Sequence, residues 1–207
     1  MLAYNRSLSD IESYAIEEYL SVIYGIPLWR PCECAQWINS CACLFTFRLN
    51  QPISLHFKRS AAPPPVLTGL MGWYIPQSYM LTPNRWNDNG ISDNHVVTLT
   101  GTTASATENS TSAANYLNGQ PYLYGGSAAS MTFPAGILSA AHTLLHLARY
   151  NGATRGRIMS SSNINWLSGH SAPGLAGVAL QNGSWITPYR TDLHGTGWVL
   201  STSMRGR

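Results

Sequence analysis

The stretch Leu2-Ala3-Tyr4-Asn5-Arg6-Ser7-Leu8-Ser9-Asp10-Ile11-Glu12, continuing to Tyr24-Gly25-Ile26-Pro27, carries a complete helix signal. Ser9 and Glu12 form an S-x-x-E box, in which each side chain accepts the other residue's backbone N–H at a helix start. Ile11, Tyr14, Ala15, Tyr19, Val22 and Ile23 then recur at helical spacing and predict an apolar stripe. Gly25 stops the helix, with Pro27 just beyond. The stripe is too wide for an isolated helix, so this one is expected to dock on a partner surface.

Beyond the helix the character changes twice. Residues 29–65 hold all four cysteines, a weakly alternating run at 44–57 and a proline-rich spacer at 61–65, and read as a linker or insertion. From residue 66 onward, short β-prone runs alternate with Gly, Asn and Pro turn signals, as in an antiparallel sandwich. The predicted strands are 70–75, 95–102, 120–124, 130–133, 143–150, 155–160, 176–181, 184–187 and 198–202. Residues 139–150 also suit a helix by their Ala, Leu and His content.

Composition narrows the function classes. Charged residues make up 10% of the 207, well under the roughly 25% usual in soluble domains, and turn formers abound. Eleven Tyr and seven Trp argue for a packed core or a binding face. The net charge of +3 is scattered, with Lys58-Arg59 its densest pair, so no basic stripe invites nucleic acid. No apolar run reaches the roughly 18 residues of a membrane span. Asp10, Glu12, Glu17 and Glu18 stand where a signal peptide would be basic and then apolar. No export signal is expected, and an extracellular location would be reached as part of a larger product or particle.

The segment Tyr4-Asn5-Arg6-Ser7-Leu8-Ser9, with Glu12, Glu17, Tyr19-Leu20 and Tyr24-Gly25-Ile26, resembles the closing motif of laminin-G-like, concanavalin A-like jelly-roll domains. There a last strand leads into a short helix. Gly69-Leu70-Met71-Gly72-Trp73-Tyr74, Trp86-Asn87-Asp88, Asn94-His95 and Leu99-Thr100-Gly101 resemble the opening of the same domain. Phe133-Pro134, residues 142–150, Arg155-Gly156-Arg157-Ile158, residues 165–169, Trp185-Ile186 and residues 198–202 resemble its body. The variant it looks like occurs in large DNA viruses of algae. The resemblance implies an all-β antiparallel jelly-roll β-sandwich with one N-terminal α-helix and a Cys/Pro-rich linker. Its divisions are 1–28 (closing strand and helix), 29–65 (linker) and 66–207 (sandwich body). The closing motif arrives first, so residues 1–28 are expected to finish a preceding copy, to dock back as a permuted element, or to complete a neighbour by swapping.

Several groups are candidates for chemistry. Cys32-x-Cys34 and Cys41-x-Cys43 fit two disulfides, one zinc or free thiols, each a staple and not a catalyst. Asn87-Asp88-Asn89-Gly90 with Asp93-Asn94 offers hard oxygens for calcium, with Asp88 and Asp93 as ligands, or an Asx-stabilised turn. His142 and His146 would share a metal on a helix; on a strand they lie about 13 Å apart, too far for one ion.

A glycosidase needs two carboxylates about 5–10 Å apart. After residue 65 the acids are Asp88, Asp93, Glu108 and Asp192, and none pairs with another at strand spacing. A G-x-S-x-G elbow is missing too. The expectation is therefore a non-enzymatic protein. Trp73, Tyr74, Tyr79, Trp86, Trp166, Trp185, Tyr189 and Trp198 lie near polar turns, either filling the core or stacking on sugars. As a lectin-like module the chain would hold a glycan on the loops 84–94, 161–173 and 188–196, through Trp86, Asn87, Asp88, Asp93, Asn94, Trp166 and His170. As a capsid or fibre component of a virion it would clip to other copies or neighbouring proteins through its N-terminal helix.

Overall fold

The computed structural model describes residues 1–26, 63–90, 97–100, 103–107, 119–150, 152–161, 163–187 and 197–205. Within them the chain is mostly β, with one α-helix and a short 3-10 turn at Pro76–Ser78. In chain order the elements are β1 (Leu2–Tyr4), α1 (Asp10–Tyr24), β2 (Leu70–Trp73), β3 (Tyr79–Met80), β4 (Arg85–Trp86), β5 (Val97–Thr100), β6 (Thr103–Thr107), β7 (Pro121–Gly125), β8 (Ser130–Thr132), β9 (His142–Ala148), β10 (Met159–Ser160), β11 (Leu167–Ser171), β12 (Leu175–Gln181), β13 (Ser184–Trp185) and β14 (Val199–Arg205). They pair antiparallel in the orders β14-β9-β1-β2, β3-β4-β5-β8 and β10-β11-β12-β13, with β6-β7 as a separate ribbon.

The first sheet is the central layer. Side chains alternate across a strand, so Leu2 and Tyr4 point to one face of it and Ala3 to the other. Leu2, Tyr4, Leu70 and Leu145 pack with Leu8 and Ile16 beneath α1. On the opposite face Ala3 and Leu144 join Tyr74, Trp86, Val97, Leu99, Ile137 and Trp166, the main core shared with the other sheets.

The N-terminal segment docks on its own chain. β1 lies between β2 and β9, pairing Leu2 with Trp73 and with Leu145. The tyrosine–asparagine–arginine motif then turns the chain into the helix. The Tyr4 hydroxyl donates to Val66 O at 3.0 Å, and Asn5 N–H to Gly69 O at 2.9 Å. Arg6 forks onto the Glu12 carboxylate at 2.9 and 2.6 Å and donates from Nε to Thr68 O at 3.1 Å. The Thr143 hydroxyl donates to Arg6 O and accepts from Leu8 N–H. Ser9 and Glu12 form the expected capping box, and Gly25, at φ 65°, ends the helix. Arg6 and the Ser9 donors hold the Glu12 carboxyl well below its usual range, at about 2.

Two expectations are corrected. The helix buries Ser13 and Ile16, while Ile11, Tyr14 and Val22 lie exposed at 82%, 47% and 69%. Docking follows the line of Leu8, Ile16 and Leu20 onto β1, because that line meets the apolar face of Leu2 and Tyr4. Residues 161–173, expected as a loop, contain β11, all five residues of which are buried. Where 139–150 was ambiguous, β9 is a strand. The Asn182-Gly183 turn joins β12 to β13 with φ of 49° and 82°, as a two-residue hairpin favours.

Replacing the fully buried Tyr4 with Ala should destabilise the fold by about 3–5 kcal/mol in chemical denaturation, and Tyr4→Phe by about 1. A Tyr4→Ala loss below about 1 kcal/mol would mean that β1 is not part of the core.

Candidate functional site

Of the residues expected to hold a glycan, Trp86, Asp88, Trp166 and His170 are buried and Asn87 is half-buried. Trp86 is 9% exposed; its ring meets Tyr74 at 5.4 Å and Phe133 at 6.4 Å, and its indole N–H donates to Ile75 O. Trp166 belongs to the same core. Neither ring presents a stacking face. Asp88 is buried, and its Oδ1 accepts from Trp73 N–H and Gly90 N–H, each at 2.7 Å. This is the Asx-turn arrangement. The Asn87 amide meets the Met80 sulfur at 3.3 Å. Asp93, Asn94, Cys32, Cys34, Cys41, Cys43 and the 188–196 loop lie outside the described residues. Among the described residues no three His, Cys, Asp or Glu gather as a metal group.

His170 marks a polar seam between the central sheet and β11. His146, on β9, projects to the same face as Leu144, and its Nε2 lies 3.0 Å from the Ser168 hydroxyl. Across the ladder it pairs with Ser201 of β14. Gly169 lets the sheets meet: at φ +83°, a Cβ there would lie 2.6 Å from Ser201 Oγ and 2.8 Å from His146 Cε1. The register shifts between Gly169 and His170, as at a β-bulge, which re-aims a side chain. His170, wholly buried, meets the Tyr150 ring edge-on at 4.9 Å. Neither of its ring nitrogens has a hydrogen-bond partner among the described residues. The Tyr150 hydroxyl lies 2.7, 2.9 and 3.2 Å from the carbonyls of Gly156, Ser171 and Leu175.

Beside the seam a cleft of about 150 Å³ is lined by Ser168, Gly169, Val178, Ala179, Leu200 and Ser201. Ser168 and His146 have the spacing of a nucleophile and base. Burial, with His170 adding to it, pushes His146 down to about 3. An imidazole that holds protons so weakly is a poor general base near neutral pH. Each member of the pair gives the other a buried hydrogen-bond partner. His142 bonds elsewhere, through Nδ1 to Ser139 O at 2.8 Å.

A second cluster lies where the β9–β14 ladder ends. Its last pair is Ala148 with Val199, so Arg149 and Trp198 are the next positions across. The guanidinium carbon of Arg149 stands 5.2 Å from the Trp198 ring centre and 6.0 Å from that of Tyr122. Tyr122 meets Trp198 edge-on at 5.5 Å and Tyr124 at 6.1 Å. On β7 the two tyrosines share one face, and Leu123 between them packs on the core. Tyr124 is 40% exposed. Sequence reading counted Trp198 among many aromatics and passed over Tyr122, Tyr124 and Arg149. The readable signal was tyrosine alternation in a predicted strand.

No family model, curated protein or solved structure matches the chain. Nothing in these comparisons identifies a laminin-G-like or concanavalin A-like domain.

The seam makes stability pH-dependent in a defined direction. The unfolded chain protonates both imidazoles as pH falls through about 6.5, whereas burial holds His170 neutral to about 4 and His146 to about 3. Stability is therefore full above about 7 and lost as pH falls through 6.5, by about 2 kcal/mol per imidazole at pH 5. Denaturation midpoints measured from pH 7.5 to 4.5 should fall accordingly, and His170→Phe should flatten the slope by about half. Gly169→Ala should lose about 2–4 kcal/mol at any pH, from strain and the Ser201 and His146 clashes.

Proposed function

We propose that this chain is a non-catalytic surface or structural protein built on a jelly-roll sandwich of the laminin-G-like kind. It serves as a minor virion component, in capsid or fibre, or as a glycan-binding attachment module. The observation that carries this reading is the position of β1. Residues 2–4 fill the middle of the central sheet, and α1 covers their outer face. Removing this clip would leave β2 and β9 with unpaired edges and the apolar patch of Leu70 and Leu145 bare. Such a slot suits assembly, because the equivalent segment of a neighbouring copy carries the same complementary surface. The alternative reading, a carbohydrate-binding module of a cell-surface protein, draws support from the aromatic and arginine cluster at the end of the β9–β14 ladder.

Deleting residues 1–26 should give an aggregating or unfolded body, and adding the 1–26 peptide in trans should restore a cooperative thermal transition. A truncated chain that stays monomeric and as stable as the parent would refute the clip.

A further inference from the structure

We infer that the polar seam is an acid-opened latch: protonation of His170 and His146 parts the β10–β13 sheet from β9 and β14 along the His170 side, while its Trp166 end stays in the main core. Such a latch needs neither a glycan nor a second copy of the chain.

The β10–β13 sheet is attached unequally along its length. Among the described residues its strands pair with one another and with no other sheet, and Leu167, Leu175, Val178 and Leu180 form an apolar cluster of their own. Trp166 and Met159 anchor it in the main core. Further along β11 the ties are polar. The Ser168 hydroxyl lies 3.0 Å from His146 Nε2, and the Tyr150 hydroxyl lies 2.9 and 3.2 Å from the carbonyls of Ser171 and Leu175. The cleft lined by Val178, Ala179 and Leu200 leaves the packing beside these ties incomplete.

An imidazolium donates from both ring nitrogens and needs an acceptor at each. His170 is wholly buried and has an acceptor at neither among the described residues. Neither imidazole lines the cleft, and at Gly169 the sheets already touch: a Cβ there would lie 2.8 Å from His146 Cε1 and 2.6 Å from Ser201 Oγ. Water therefore reaches a protonated ring only when the sheets separate, and the closed seam favours neutral rings.

The titratable and charged groups around the two rings do not offset added positive charge. Among the described residues they are the rings themselves, the Tyr150 phenol, the Met1 amino group near His146 and Arg155 near Tyr150, all neutral or cationic between pH 7.5 and 4.5. On β14, Glu17 bonds Thr202, whose side chain points away from that of Ser201 to the α1 face.

An opening that wets both rings lets them titrate near 6.5, whereas the closed seam holds His170 neutral to about 4 and His146 to about 3. Each ring thus raises the opening constant about thirtyfold between pH 7.5 and 5, and the two together about a thousandfold.

An apolar dye, anilinonaphthalene sulfonate, added to the full chain from pH 7.5 to 4.5 tests this, with amide hydrogen exchange measured in parallel and corrected for its intrinsic pH dependence. Dye fluorescence should rise at least about tenfold by pH 5 and fall back on return to pH 7.5, while amides of β1, β2 and β5 stay protected. Its pH dependence should show about two protons taken up per opening, and about one in His170→Phe or in His146→Gln, whose amide can keep the Ser168 contact.

Dye binding confined to pH values at which β1, β2 and β5 have lost protection would overturn the latch, since the seam would then open only with the whole fold. No added dye binding down to pH 4.5 would overturn it as well. A count of two protons in both variants would overturn the assignment to these imidazoles. If one variant does not fold, the proton count of the other decides.

Discussion

The fold depends on a three-residue strand inserted between partners far away in sequence. Leu2, Ala3 and Tyr4 are all almost fully buried, since a strand in the middle of a covered sheet has no solvent face. This placement explains why each letter of the following motif has a job. The chain must leave the sheet, reverse and start a helix that lies back over the strand it has just left. Tyr4, Asn5 and Arg6 anchor to residues 66–69, Thr143 bridges the corner, and Ser9 with Glu12 starts the helix. Loss of any one would disturb the entry angle of α1.

Local signals survived into the structure where the interaction itself is local. A capping box spans four residues and a hairpin turn spans two, so both are legible at Ser9, Glu12 and Asn182-Gly183. The buried face of α1 was not, because the stripe through Ile11, Tyr14 and Val22 is as apolar as the line the sheet selected. β11 shows the opposite failure. Leu-Ser-Gly-His-Ser looks like a surface loop because its polar groups suggest solvent. Ser168 instead finds its partner on another sheet, a match no window along the chain can contain. The cluster at Arg149 and Trp198 escaped for the same reason: three separated segments, β7 and the ends of β9 and β14, bring it together.

The polar seam and the aromatic cluster use buried or half-buried polarity differently. At the seam, His146 and Ser201 leave room for nothing larger than hydrogen at Gly169, and the reward is a fixed registry between sheets. At the ladder's end the half-buried Arg149 stacks its guanidinium on the rings of Trp198 and Tyr122. The two places therefore differ in character, neutral imidazoles in one and a cation stacked on rings in the other.

The position of β1 also governs the order in which the molecule can form. During synthesis β1 and α1 emerge long before β9, the strand that pairs with β1. Until then the helix face of Leu8 and Ile16 has only β2 to lean on. Closing that long loop is entropically demanding and favours slow, late consolidation of the sheet. Until β9 is available, the apolar face shared by β1 and α1 is thus open to other chains, further copies of this one included.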